Sequence, residues 1–367
     1  MPHPPSPYDD PVDLPPQPPV HYAEQALLGA LLLEPHRSGD IAVHADQFGN
    51  HAHGALFAAI QAAPACGAET RRSDVVWLNA VLEAARPEAP GLSVSYLHAL
   101  VQVCPSPGHA AVYAQVIQAE HARRRLREAA LRLAQTARDT SLPHPVPTTL
   151  AEADALAGVV DDIAAAFAHG SGPLPRTPTP PAPVRDAEEA AEEERLLLAT
   201  ATANPADIAQ MRWLTGDDFT HSLHAGLWHC LTALAGRRAP VDPITVVWEA
   251  QQRGVLHDHD PRDLLGFLAA PAESARHLGG RILHRRILDS AHRTGRHIAA
   301  LTDDPATTPP QLVLGSRRAL ADLAAVRTRW HLATAPPSVR ATPGPATAAP
   351  RAGPPPTTAP PPSRIAH

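Results

Sequence analysis

The chain has 367 residues, 43 of them proline, a formal net charge of −6 and only 4% aromatic residues. A chain of this length accommodates two ordinary domains, and its negative balance excludes a global basic field that would draw in nucleic acid. All of its positive side-chain charge besides histidine is arginine, because the sequence contains no lysine.

The prolines crowd into residues 2–19, residues 173–183 and the stretch after Ala335. Such segments cannot bury enough apolar surface to offset the entropy of ordering, so they predict disordered or semi-rigid spacers. The expected organisation is a Pro-rich tail over 1–20, a first domain over 21–170, a linker over 171–185, a second domain over 186–332 and a Pro-rich tail over 333–367. The start is Pro-rich and acidic, unlike a signal peptide. The longest apolar run, around Leu27 to Leu33, is too short to span a bilayer. A cytoplasmic location is expected. Cys66, Cys104 and Cys230 are scattered with no C-x-x-C pair, which argues against a disulfide framework or a thiolate zinc site.

In chain order, Leu27, Leu28, Leu31 and Leu32 make the first apolar stripe at helical spacing. Ser73-Asp74 supplies a helix cap further on. A long helix follows, with the seam Leu126, Ala130, Leu133 and Ala137, and ends in a Pro-broken turn from Ser141 to Pro147. Thr149 and Glu152 have capping-box spacing, and Ala153, Leu156, Val160, Ile163 and Phe167 line one face of the helix beyond. In the second domain Glu192, Glu193 and Glu194 read as the acidic first turn of a helix that continues through Leu196, Leu197 and Leu198. Asp242-Pro243 is a strong helix start, with Asp as N-cap and Pro at the first helical position. The second long helix has the seam Ile287, Ala291, Thr294, Ile298 and Leu301 and breaks between Asp303 and Pro310. A last helix is expected from about Gln311 to Trp330, with Leu312, Leu320 and Leu323. The fold class is therefore all-α: two copies of a small helical bundle, each followed by a helical hairpin.

The duplication is visible at a single offset of 171 residues: Phe48 matches Phe219, His53 matches His224, Phe57 matches Trp228, Val75-Val76-Trp77 matches Val246-Val247-Trp248, and Tyr96-Leu97 matches Phe267-Leu268. Glu24-Gln25-Ala26-Leu27-Leu28-Gly29, followed by Leu31-Leu32-Leu33-Glu34-Pro35, resembles the opening of the N-terminal domain of DnaB-type replicative helicases. Phe48-x4-His53-x3-Phe57, Tyr113-Ala114 and the Arg-rich helix after Ile117 are similar to later parts of that domain. In copy two Val241-Asp242-Pro243-Ile244-Thr245-Val246 and Gln251-Gln252-Arg253-Gly254-Val255-Leu256 are close to its most recognisable segment. Copy one lacks the Asp-Pro-Val-Thr segment. Copy two lacks the Gln after its Glu and carries Thr200 and Thr202 where the family has apolar residues.

The resemblance implies a bundle-plus-hairpin layout and a role in DNA replication. In the family this domain builds the collar of a hexameric ring by pairing hairpins and docks primase and loader proteins. A chain with two copies is expected to pair its own hairpins as an internal pseudo-dimer or to form homo-oligomers, and to bind replicative helicase or primase as a primosome-type interaction module. The alternatives are a DNA-binding protein that uses its Arg-rich helices, or a diverged helicase remnant without a retained partner. No G-x-x-x-x-G-K-[ST] string occurs, and without lysine no Walker lysine is possible. The expectation is a non-enzyme with no cofactor and no metal.

Other chemistry has weaker support. His257-Asp258-His259-Asp260 has only loop-ligand spacing and lacks further ligands nearby, so solvated loop residues are the better account. His51 and His53 invite the same suspicion, but the recurrence of His53 between aromatics points to a packed or capping histidine. Arg123, Arg124, Arg127, Arg281, Arg285 and Arg286 are the candidate nucleic-acid or partner contacts, since arginine forks suit phosphate. Acidic residues interleave with them, so a solvated face with local ion pairs is the blander reading. Trp77 and Trp248 read as core or interface anchors rather than base-stacking platforms.

Overall fold

The computed structural model describes residues 17–63, 73–167, 187–256, 259–270 and 274–335. The expected linker over 171–185 lies outside them, as do nearly all of the two Pro-rich tails. Among the described residues there are helices and no strands.

Copy one begins with α1 (Pro19–Leu33), whose Leu27, Leu28 and Leu31 are fully buried. Then come α2 (His51–Ala62), α3 (Ser73–Ala85) and α4 (Val94–Val103). Asn50 caps α2 by accepting from the Ala52 amide, and Ser93 caps α4 by accepting from the Tyr96 amide. The hairpin of copy one is α5 (Ala110–Thr136) and α6 (Pro145–Ala166). Copy two repeats the order with α7 (Ala187–Ala203), a short α8 (Pro205–Ile208), α9 (Ser222–Gly236), α10 (Pro243–Gln252), α11 (Pro261–Leu268) and the hairpin α12 (Ala275–Asp303) and α13 (Pro309–Thr334). Asp242 caps α10 through the Ile244 and Thr245 amides with Pro243 at the first position, as its sequence requires.

Three helix starts differ from the sequence expectation. Helix α6 starts at Pro145, so Thr149 sits a turn inside it, buried, and does not cap it. Helix α7 already runs at Ala187, which moves Glu192, Glu193 and Glu194 from the first turn into the middle of the helix. Helix α13 extends at both ends of its expected range, from Pro309 to Thr334. In all three, proline or acidic residues further upstream carry the same start signals as the ones chosen. Thr200 and Thr202, polar where an apolar residue is expected, are buried and donate their hydroxyls back to the carbonyls of Leu196 and Leu198, each at 2.7 Å.

Packing does not follow the repeat. Helices α1 to α4 and the first half of α5 enclose one apolar core that ends at Ile117. From Ala122 onward α5 joins α6 to α13 in a second core. The two seams read from sequence are both buried there and α5 lies along α12. The helices run antiparallel: Arg123 of α5 reaches the carbonyls of Thr302 and Asp304, whereas the Ala134 carbonyl accepts from His292 Nδ1 at 2.9 Å. Helices α6 and α13 flank this pair, linked by Arg317 to Asp161 at 2.8 Å and by Arg327 to Asp154. The chain thus pairs its own two hairpins.

Candidate partner interface

Each bundle is centred on a buried carboxylate–imidazole pair. In copy one Glu24 of α1 accepts from His53 Nδ1 at 2.7 Å with one oxygen and from the Gly49 amide at 2.5 Å with the other. In copy two Glu194 of α7 accepts from His224 Nδ1 at 2.7 Å and from the Thr220 amide at 2.6 Å. All four side chains are buried. Each pair ties the first helix of its bundle, α1 or α7, to the start of α2 or α9, just after the aromatic residues Phe48 and Phe219. Burial raises the Glu194 pKa, but the bonds from His224 and from the Thr220 and His221 amides outweigh it and hold the carboxyl below the ordinary value. His53 is therefore packed, as its recurrence suggests. Its glutamate partner was also discoverable in sequence, since Glu24 and Glu194 recur at an offset of 170 beside histidines recurring at 171.

The six candidate arginines all engage their own chain. Arg123 donates to the carbonyls of Thr302, Asp304 and Thr307 at the end of α12. Arg124 donates to the Gln47 carbonyl at 2.7 Å, and Arg127 pairs with Asp303. Arg281 and Arg285 share Glu193, the latter at 2.8 Å. Arg286 lies 3.8 Å from the buried Asp218, and both burial and the neighbouring Arg293 push its pKa down while Asp218 opposes them. Arg127 and Arg281 keep about half of their side-chain surface exposed beside these partners.

Thiol chemistry has little support here. Burial is the main influence raising the pKa of Cys104, and it pushes Cys230 up to about 11, so neither is a ready thiolate at neutral pH. Cys66 lies outside the described residues, as do His257 and Asp258. Asp260 accepts from the Arg262 amide and caps α11.

The matched tripeptides part company in three dimensions. Trp77 is buried at 8% exposure with Val76 turned out. In copy two Val246 and Val247 are buried, and Trp248 is 60% exposed. Ile244, one turn earlier on α10, is 72% exposed. Two large apolar side chains four residues apart on one helix make a contiguous exposed stripe. Sequence reasoning named Trp248 but had no signal to separate it from its buried twin.

A family model described as the DnaB-like helicase N terminal domain matches residues 16–119 and 186–280, together just over half of the chain. The chain belongs to the DnaB-like helicase N-terminal domain family. No curated protein and no solved structure matches it. The two DnaB-like segments end inside α5 and α12, so α6 and α13 lie beyond the matched residues. No helix among the described residues is long and apolar enough to cross a membrane.

Proposed function

We propose that this protein is a non-catalytic assembly module of DNA replication that docks on a replicative helicase or a primase through α10. The exposed Ile244–Trp248 stripe carries the reading. Family resemblance supplies the partner class, and the geometry supplies an exposed anchor of the residue type that dominates interface energetics. Hairpin surfaces, which in the family serve pairing between subunits, are here occupied by each other, so a partner meets the chain elsewhere. On this reading the two repeats extend over 21–170 and 186–332, and the module recruits without unwinding.

The test is a light-scattering or calorimetric titration of the purified chain against the host's replicative helicase and primase. Binding to either in the micromolar range or tighter supports the proposal. No binding to both at concentrations on the order of 10 μM overturns it. Direct DNA binding through the six arginines is the competing reading. It requires an affinity that falls steeply with salt, and it is separated from the first by titrating single- and double-stranded DNA at two salt concentrations.

A further inference from the structure

The two buried Glu–His pairs are alike, but their surroundings are not. Glu24 and Glu194 hold equivalent places, so counting back one turn along α1 and α7 sets His21 opposite Ala191. Tyr96, likewise, stands where copy two has Phe267. Both differences add a polar group beside His53. The His21 and His53 ring centroids are 5.2 Å apart. One ligand-capable atom from each of His21, Glu24 and His53 lies within 4.8 Å of the other two.

We propose that these three residues form a zinc-binding site specific to copy one, independent of the partner reading above. Two imidazole nitrogens and one carboxylate oxygen suit a borderline-soft ion such as Zn2+, whereas Mg2+ and Ca2+ favour all-oxygen sets. Glu24 and His53 are buried and hydrogen-bonded to each other, and His21, less buried, sits in the first turn of α1. The fourth position is left to water.

The ion takes the place of the proton between His53 Nδ1 and Glu24 Oε2: in a neutral ring that proton passes through solvent to Nε2, and only a ring that starts as imidazolium releases one to solvent. Metal–ligand distances near 2.0–2.1 Å at a tetrahedral angle require the 2.7 Å nitrogen–oxygen separation to open by roughly 0.6 Å. The supporting groups are already placed. With Nδ1 on the metal, His53 Nε2–H donates to Tyr96 Oη, 2.6 Å away, and the Gly49 amide holds the other oxygen of Glu24. Metal-bound histidines depend on such an acceptor for the second ring nitrogen. Copy two lacks it: the Phe267 ring, 6.4 Å from His224 between centroids, offers no hydroxyl.

The test uses the full chain without a histidine tag and Zn2+ alone, measured by calorimetry and by competition with a zinc indicator. The expected result is one ion per chain, tighter at pH 8 than at pH 6, with a rise in unfolding temperature. His21→Ala should weaken binding at least tenfold and abolish that rise. It should still fold, because alanine occupies the equivalent place in copy two. Tyr96→Phe should weaken binding by about tenfold. No uptake at concentrations on the order of 100 μM, or uptake undiminished in His21→Ala, overturns the proposal.

Discussion

Gly295 of α12 rests directly on the backbone of Ala134 in α5: a Cβ added to it would lie 2.8 Å from the Ala134 nitrogen, and closer still to the Ala130 carbonyl. The obstacle is main chain, which cannot rotate away. In an open helix position, replacing glycine by alanine stabilises by up to about 1 kcal/mol. Here the sign should reverse. Gly295→Ala is expected to destabilise by about 1–3 kcal/mol through overpacking at the hairpin crossing. Gly158 of α6 has open space around its Cβ position, so Gly158→Ala is the control and should stabilise. Urea unfolding of both variants checks the pair of signs.

Glu194 carries an acid-sensitive share of the stability. Its folded pKa lies below the ordinary value of 4.5, so its contribution is complete above that value and is lost as pH falls through the folded pKa. Glu194→Gln cannot titrate. The variant should be less stable at pH 7 by about 1–3 kcal/mol, and the gap to the wild type should narrow below pH 4. A gap that stays constant from pH 7 to pH 3 would contradict this assignment.

Arg123 closes the end of α12 by donating to Asp304 O and Thr307 O at 2.7 Å and to Thr302 O at 3.1 Å. These are charge-assisted bonds from a fixed fork, with the side chain largely buried. Arg123→Ala should cost about 2 kcal/mol. Arg123→Lys should recover less than half, because a single ammonium cannot span the carbonyls. Denaturant midpoints of the two variants decide it.

Trp248→Ala should leave thermal stability within about 0.5 kcal/mol of the wild type, since the side chain is exposed. If α10 docks the partner, the same change should weaken binding by about 2 kcal/mol or more, roughly thirtyfold. Trp77→Ala, at the matched but buried position, should do the reverse and destabilise the fold.

The helices and their duplication were legible because periodicity and a constant offset survive in sequence. The seams through Leu133 and Ile298 were visible for the same reason, and their burial follows. Helix starts were less legible. Acidic residues run from Glu188 to Glu194, and nothing local says which of them meets the helix dipole and which one, Glu194, turns inward to His224. The fate of the arginines was hidden too. Their partners lie far along the chain: Arg123 meets carbonyls about 180 residues away, and only the folded crossing of α5 on α12 brings them together. The opposite burial of Trp77 and Trp248 depends on how α3 and α10 are turned on their bundles, which identical tripeptides cannot encode.

The hairpin pairing described above has a thermodynamic consequence. Two surfaces carried on one chain associate in a unimolecular step, governed by their effective concentration rather than by the amount of protein in solution. Dilution therefore does not part them, and the unfolding midpoint should not move with protein concentration. Any larger assembly receives these domains already married, two at a time.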